Sequence, residues 1–230
     1  MEGIITLYHG SEHVVENPAF GVGKEHNDFG LGFYCTQNKD LAKEWAVSSV
    51  RNGFSNSYTL DTKYLNILSL NSPDYTILNW IAVLAEHRTF AIKTPVARRA
   101  KSYLIDNFGI NVNAFDMIIG YRADDSYFDY AKSFLNNTIS VEQLALAIRL
   151  GRLGEQIVLK SRFAFSRIQY KGFELAEREQ YYPLRKARDN EANKYYFEIL
   201  EKENDGLYIQ DIMRGGIQND DPRIPRNLPE

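Results

Sequence analysis

Apolar and polar positions along the chain predict strands first, helices in the middle and strands again. Short apolar runs predict strands at residues 4–8, 33–36, 57–60, 65–70, 116–121, 155–160 and 168–170. Apolar residues at helical spacing predict helices at residues 39–50, 72–88, 94–109, 124–135 and 141–150. This order of elements predicts the α+β fold class.

Three of the predicted helices begin with capping signals. In Ser72-Pro73-Asp74 a capping serine is followed by proline at the first helical position and by an acid in the first turn. Thr94-Pro95 begins the next helix in the same way, and Ser140 with Gln143 forms a capping box for the last one. These signals set the expected starts of the helices.

The C-terminal part of the chain differs in composition from the rest. Residues 174–204 are rich in Glu, Lys, Arg and Tyr and have a helical pattern that is interrupted at Pro183. Residues 219–230 contain three prolines and few apolar side chains, which predicts disorder. We therefore expect one domain at residues 1–173, a helical C-terminal extension at 174–214 and a disordered tail at 215–230.

The composition is that of an ordinary globular protein, with 44% hydrophobic and 25% charged residues among 230. Cys35 is the only cysteine, so no internal disulfide can form, and the four histidines lack the spacing of a metal site. No apolar run reaches the ~18 residues of a membrane span, and the first residues lack the basic region of a signal peptide. We therefore expect a cytoplasmic protein that uses no metal and no membrane.

Two short glycine-containing stretches are the best candidates for a binding site. Residues 7–11 have the pattern of a strand that ends in His-Gly-Ser, and residues 28–36 that of a glycine-rich loop leading into a second strand. Gly10, Gly30 and Gly32 lie where these two strands leave the sheet, and glycine lets a ligand approach the backbone closely. The neighbouring histidine, serine and tyrosine predict a cleft for a polar, partly aromatic small molecule.

Two charged segments each allow two interpretations. Lys93, Arg98, Arg99 and Lys101 form a basic cluster, which fits either a solvated helix face or a contact to a substrate or nucleic acid. Residues 175–213 fit either a helix packed on the domain or a surface for a partner or substrate. The net charge of −3 argues against a protein that coats nucleic acid.

Taken together, these motifs resemble the ADP-ribosyltransferase superfamily, in the His-Tyr-Glu branch that includes diphtheria toxin and the poly(ADP-ribose) polymerases. Residues 7–11 resemble its first motif and residues 29–34 its second, while residues 155–159 resemble its third, a strand-borne glutamate followed by apolar residues. The closest likeness is to a bacterial, toxin-like and poorly characterised group. The resemblance implies a split antiparallel β-sheet core with flanking helices, and NAD as the substrate.

The resemblance also implies a role for each motif residue. The NAD-binding residues would be His9, Gly10, Ser11, Gly32 and Tyr34. His9 would hydrogen-bond the adenosine ribose, while the Gly10 backbone would hold the nicotinamide amide with help from Ser11. Tyr34 would stack on the nicotinamide ring. Glu155 would hydrogen-bond a ribose hydroxyl and stabilise the oxocarbenium-like sugar that forms when nicotinamide leaves.

The third motif depends on which side of its strand faces the cleft. Successive strand residues face opposite sides, so Glu155 and Gln156 cannot both point into the cleft if the strand is regular. The spacing to the apolar residues 157–159 favours Glu155. A shift by one residue would bring Gln156 there instead, and an amide cannot supply the same charge. That arrangement would indicate weak transfer, NAD hydrolysis or binding only.

We therefore expect a mono-ADP-ribosyltransferase whose catalytic residues are His9, Tyr34 and either Glu155 or Gln156. It would cleave NAD at the nicotinamide–ribose bond and transfer ADP-ribose to a protein or nucleic-acid acceptor. Two other interpretations stay open: an NAD glycohydrolase, and a catalytically silent NAD-binding or interaction module. The expected biological role is that of the toxin in a toxin–antitoxin pair, with an antitoxin protein as its partner.

Overall fold

The computed structural model describes residues 3–89, 92–123, 125–150, 154–201 and 206–226. The strands are β1 (Ile4–Ser11), β2 (Phe33–Cys35), β3 (Gly53–Asp61), β4 (Ile67–Ser69), β5 (Met117–Tyr121), β6 (Glu155–Leu159) and β7 (Ile168–Ala176). The helices are α1 (Lys39–Ala46), α2 (Ile77–His87), α3 (Pro95–Phe108), α4 (Asp125–Leu135), α5 (Val141–Leu150), α6 (Arg162–Ser166), α7 (Arg178–Leu200) and α8 (Ile209–Gly215). The fold class is α+β, as predicted.

The described strands form two sheets. The first sheet has the order β1–β3–β7 and is antiparallel, and the second has the order β2–β6–β5–β4. Within the second sheet β4 and β5 are parallel, whereas a wholly antiparallel core was predicted. Parallel neighbours need a crossover connection, and the chain between β4 and β5 supplies one through α2 and α3. The two sheets meet where Tyr8 and Thr36 exchange backbone hydrogen bonds of 2.8 and 2.9 Å.

The two faces of the second sheet pack against different parts of the molecule. Phe33, Cys35 and Ile157 lie on the face that packs against the first sheet, whereas Val158 belongs to the core formed with the helices. Burial raises the pKa of the Cys35 thiol, so Cys35 is an unreactive core residue. Because Tyr34 lies opposite Val158 in the β2–β6 pairing, its side chain belongs to the helical face.

Capping explains where the central helices begin. Thr94 caps α3 as predicted, because its hydroxyl accepts a backbone N–H of the first turn. In contrast, α2 begins at Ile77, and Ser72-Pro73-Asp74 belongs to the turns before it. Asn79 Oδ1 accepts the backbone N–H of Thr76 at 2.9 Å, so the capping interaction lies four residues later than the predicted one.

The long helix α7 is more continuous than predicted. β7 extends to Ala176, so α7 begins at Arg178, and the first residues of the predicted extension are strand. α7 also runs without a break through Pro183, where an interruption was predicted. Ala192 and Ile199 of α7 are buried in the main core. Their packing on the domain outweighs the backbone hydrogen bond that the proline removes near the start of the helix.

Residues 215–226 pack against the domain, where the sequence predicted a disordered tail. Ile217 and Ile224 are 6% and 2% exposed and join the main hydrophobic core. The hydroxyl of Thr76 donates a hydrogen bond of 2.5 Å to Asn219 Oδ1. Two buried isoleucines and this hydrogen bond therefore attach a segment whose prolines and few apolar side chains had predicted disorder.

Two further findings concern membranes and metals. In the described ranges, no helix is both long enough and apolar enough to cross a bilayer. The same part of the chain brings no three His, Cys, Asp or Glu side chains together where they could hold a metal ion.

Candidate functional site

A pocket of about 260 Å³ opens on the helical face of the second sheet. It lies where the loop before β2, the end of β5 and the start of β6 meet, and α1 and α7 each contribute one residue. Its lining residues are Asn27, Asp28, Tyr34, Trp45, Arg88, Arg122, Ala123, Gln156 and Arg185. The pocket therefore combines two aromatic rings with three guanidinium groups and one carboxylate.

Tyr34 presents its ring to this pocket, while its hydroxyl is held by the glycine-rich loop. The hydroxyl accepts the backbone N–H of Phe29 at 3.0 Å and donates to the carbonyl of Gly30 at 2.6 Å. Gly30 has a φ of 72°, a left-handed conformation that glycine adopts without strain. Burial raises the pKa of the Tyr34 hydroxyl, so Tyr34 stays neutral. Tyr34 thus offers a rigid aromatic surface and not a proton donor or acceptor for catalysis.

Trp45 is the second aromatic residue of the pocket, and the sequence analysis did not identify it. Its indole Nε1–H is buried and has no hydrogen-bond partner among the described residues. The guanidinium of Arg122 lies 4.8 Å from the centre of its ring. A buried indole N–H usually finds an acceptor, so this unpaired donor is unusual among the residues that line the pocket.

Asp28 is the carboxylate of the pocket and was also not identified from the sequence. It is 5% exposed, and its Oδ2 accepts hydrogen bonds from the Ala123 backbone at 2.9 Å and from Gln156 Nε2 at 2.8 Å. Its Oδ1 lies 3.6 Å from Arg88 Nε. Burial raises the pKa of Asp28, and the two hydrogen bonds and the cations Arg88 and Arg122 oppose that rise.

Gln156 shares the pocket with Tyr34, and Glu155 does not. Gln156 is 3% exposed, and its amide nitrogen donates to Asp28 and, at 3.2 Å, to the carbonyl of Tyr121. Both partners are acceptors, which fixes the orientation of the amide. Because strand residues alternate, the Tyr34–Val158 pairing directs Gln156 to the helical face. Of these two residues Gln156 is therefore the one beside Tyr34, whereas the spacing had favoured Glu155.

Glu155 instead lines a separate cavity of about 480 Å³. That cavity is formed with residues around the start of α1, among them Asn38 and Leu41. Glu155 Oε1 accepts a hydrogen bond of 2.7 Å from the side-chain amide of Asn71. The carboxylate that was expected to stabilise the reacting sugar therefore points away from the ring of Tyr34.

His9 adjoins the pocket through the backbone of Tyr34 and does not line it. Its Nδ1 lies 2.7 Å from the Tyr34 carbonyl, an arrangement in which Nδ1–H donates and Nε2 carries no proton. The ring packs against Phe33 with 4.5 Å between ring centres. Burial lowers the pKa of His9, against the effect of its hydrogen bond to Tyr34, and so favours the neutral imidazole.

The other predicted binding residues have structural explanations. A Cβ on Gly10 would lie 2.0 Å from the Ala42 carbonyl oxygen, so glycine lets β1 pack closely on α1. A Cβ on Gly32 would lie 2.5 Å from a methyl group of Val158. The hydroxyl of Ser11 donates to the backbone of the following loop at 2.6 Å and accepts from Asn56 Nδ2 at 3.0 Å. These three residues do not line the pocket around Tyr34.

The charges of the pocket favour an anionic ligand. Arg88, Arg122 and Arg185 carry three positive charges against the single negative charge of Asp28, which leaves a formal charge of +2. Arginine is well suited to phosphate groups because its planar guanidinium can donate two parallel hydrogen bonds. Beside them, the rings of Tyr34 and Trp45 provide surfaces for a planar ring. The arrangement can therefore bind a molecule that contains both a phosphate and an aromatic ring.

Comparison with known proteins places the chain in a family but gives no activity. A sequence profile of the family described as "Protein of unknown function (DUF3990)" matches residues 5–170. No curated protein and no solved structure matches the chain. The matched region contains every residue that lines the pocket except Arg185. Because the match covers most of the 230 residues, the chain belongs to this family of proteins of unknown function.

Proposed function

We propose that the protein binds NAD in the pocket around Tyr34 and Trp45 and acts as an NAD-dependent mono-ADP-ribosyltransferase. The observation that carries the proposal is the pairing of two aromatic rings with three arginines in a pocket to which the glycine motif at residues 28–36 contributes Asp28 and Tyr34. The resemblance to the His-Tyr-Glu transferases supports it, and so do the two sheets of the α+β fold, which agree with a split core.

The proposed binding mode uses the side chains of the pocket. The nicotinamide ring stacks against Tyr34 or Trp45, and the diphosphate pairs with the guanidinium groups. A volume of about 260 Å³ accommodates one half of a dinucleotide, so the other half would extend out of the pocket.

The proposed reaction breaks the bond between nicotinamide and ribose. The electron pair of that bond leaves with nicotinamide, the acceptor attacks the ribose carbon, and the acceptor loses a proton. Asp28 provides the negative charge that stabilises the oxocarbenium-like sugar. Gln156 holds Asp28 with its N–H group, which leaves its carbonyl oxygen available for a ribose hydroxyl.

The test incubates the purified protein with labelled NAD, with and without cell lysate, and follows nicotinamide release and transfer of the label. Gln156→Ala is expected to lose activity. Glu155→Ala is the matched control, because it removes the neighbouring side chain on the other face of β6, and it should retain activity. Loss of activity in Glu155→Ala but not in Gln156→Ala would contradict the proposed site. Nicotinamide release without transfer of the label would instead indicate a glycohydrolase.

One observation favours a second candidate function, a catalytically silent NAD-binding module. The residue beside Tyr34 is the neutral amide Gln156, and Asp28, the carboxylate next to it, has its pKa raised by burial. Both features reduce the negative charge available to a developing cation. NAD binding measured by calorimetry, together with no turnover in the labelled-NAD assay, would support this candidate over the transferase.

The proposal extends to a role as the toxin of a toxin–antitoxin pair. A protein that consumes NAD or modifies cellular molecules is expected to slow the growth of bacteria that express it. Tyr34→Ala removes the aromatic surface of the pocket and should abolish this effect at equal protein levels. Equal growth inhibition by the wild type and by Tyr34→Ala would argue against a toxic role that depends on the pocket.

A further inference from the structure

A groove between α3 and α8 has no role in the NAD proposal. It consists of two hollows of about 450 and 190 Å³ that share Arg99 and Met213. Arg98 and Tyr103 line the larger hollow, and Arg214 lines the smaller one. None of these residues lines the pocket around Tyr34. Two residues of the basic cluster noted in the sequence, Arg98 and Arg99, therefore line a defined groove.

The groove carries positive charge that the described part of the protein does not neutralise. Arg98, Arg99 and Arg214 are exposed, and none of them forms an ion pair within the described residues. Asp106 is the acidic residue among the groove's lining side chains, so the formal charge is +2. Arginines held on two facing helices can pair with carboxylates that lie between them.

The floor of the groove is apolar and fixed in place. Met213 and Val96 are half-buried and line the hollows. The ring of Tyr103 packs against Phe108 with 6.2 Å between ring centres, and its hydroxyl donates to the Ile212 carbonyl at 3.4 Å. The groove thus offers an apolar seat between cationic walls.

We propose that this groove docks an acidic peptide segment of a protein partner. An apolar side chain of the segment sits on Met213, and flanking carboxylates pair with Arg98, Arg99 and Arg214. This proposal stands apart from NAD binding, since it uses none of the same residues. It assigns Arg98 and Arg99 of the basic cluster to partner binding instead of to solvent.

Three features favour an acidic peptide over nucleic acid. Tyr103 packs against Phe108 and its hydroxyl is engaged, so the groove lacks the free aromatic platform on which bases stack. The apolar floor at Met213 provides no favourable contact for a charged phosphodiester backbone. The chain has a net charge of −3, and Asp106 lies within the groove, so a long polyanion that runs beyond the three arginines would meet repulsion that a short acidic segment avoids.

The test measures fluorescence anisotropy of a labelled synthetic peptide of alternating glutamate and leucine, titrated with the full-length protein. The wild type should bind, and binding should weaken as salt is added. Arg99→Glu combined with Arg214→Glu should weaken binding at least tenfold. Met213→Asp should also weaken binding, because it removes the apolar seat. Arg51→Glu, an exposed arginine paired with Glu12 elsewhere, is the matched control and should leave binding within about twofold.

Several outcomes would overturn the proposal. One is absence of peptide binding by wild-type protein that circular dichroism shows to be folded. Another is equal binding by the charge-reversed variant. A third is a single-stranded oligonucleotide that competes at the same groove and binds more tightly than the peptide, which would assign the groove to nucleic acid. Because NAD turnover is measured separately, failure here does not affect the proposed function.

Discussion

Two substitutions of the buried Asp28 distinguish what its hydrogen bonds contribute to stability from what its charge contributes. Both of its hydrogen bonds end on the same oxygen, Oδ2, while Oδ1 lies 3.6 Å from Arg88 Nε. Asp28→Asn can put its carbonyl oxygen at the position of Oδ2 and keep both bonds while removing the charge. Asp28→Ala removes both acceptors. The two variants should therefore differ in stability.

The expected size of that difference follows from the groups left without an acceptor. In Asp28→Ala the backbone N–H of Ala123 loses its hydrogen bond, while Gln156 Nε2 keeps its longer bond to the carbonyl of Tyr121. An unsatisfied buried donor costs about 1–3 kcal/mol, so we expect a loss of about 1–3 kcal/mol in the free energy of unfolding. Asp28→Asn should stay within about 1 kcal/mol of the wild type, since loss of a buried charge offsets loss of its ion pair.

Chemical denaturation at several pH values tests both parts of this reasoning. Burial raises the pKa of Asp28, so the folded protein holds this proton more tightly than the unfolded chain does. The stability that protonated Asp28 contributes is therefore present at low pH. It is lost as the pH rises from the ordinary pKa of an aspartate through the raised pKa of Asp28 in the folded protein. Asp28→Asn cannot titrate, so it should gain stability relative to the wild type over that window. Equal stability of the Asn and Ala variants, or parallel pH curves for the wild type and the Asn variant, would refute the argument.

Three further variants test other parts of the structure. Tyr34→Phe removes the hydroxyl bonds to the loop and keeps the ring, so the free energy of unfolding should fall by about 1–2 kcal/mol. NAD affinity measured by calorimetry should then fall less than in Tyr34→Ala. Burial lowers the pKa of Lys160 from 10.5 to about 8. Between these two pH values the unfolded chain binds more protons than the folded protein, so the free energy of unfolding should rise with pH there. Lys160→Met should remove this rise in denaturant titrations. Gly10→Ala would bring a Cβ to 2.0 Å from a backbone oxygen of α1 and should lower stability by about 1–3 kcal/mol. Gly215→Ala, whose Cβ would come no closer than 3.3 Å to the side chain of Ile217, should lower it less.

Local signals were sufficient for most elements of the fold. The apolar run of residues 157–159 identified β6, and Thr94-Pro95 identified the start of α3, because strand burial and helix capping depend on neighbours in sequence. The continuity of α7 through Pro183 and the packing of Ile224 could not be read in this way. Both depend on packing against surfaces formed by distant parts of the chain, and a short stretch of sequence does not contain that information.

The same distinction applies to the candidate site. Tyr34 and Gln156 lie in or near recognisable motifs, and both line the pocket. Trp45 lies in the helix predicted at residues 39–50 and outside every motif, and the arginines come from segments far apart in sequence. Asp28 had one available signal, since it immediately precedes the glycine motif at residues 29–34. Its importance appears only when β5 and β6 bring Ala123 and Gln156 to its carboxylate.

The register of β2 against β6 decides whether Gln156 or Glu155 faces Tyr34. Gly32 helps to set this register, because a side chain there would meet a methyl group of Val158 at 2.5 Å. A slip of β6 by one residue would turn Val158 out of the helical core. It would also break the hydrogen bond that the side-chain amide of Gln156 donates to Asp28. It would also bring the carboxylate of Glu155 beside the buried Asp28, where two like charges repel. Burial, hydrogen bonding and charge therefore all favour the amide at this position, and in the proposed reaction the negative charge would have to come from Asp28.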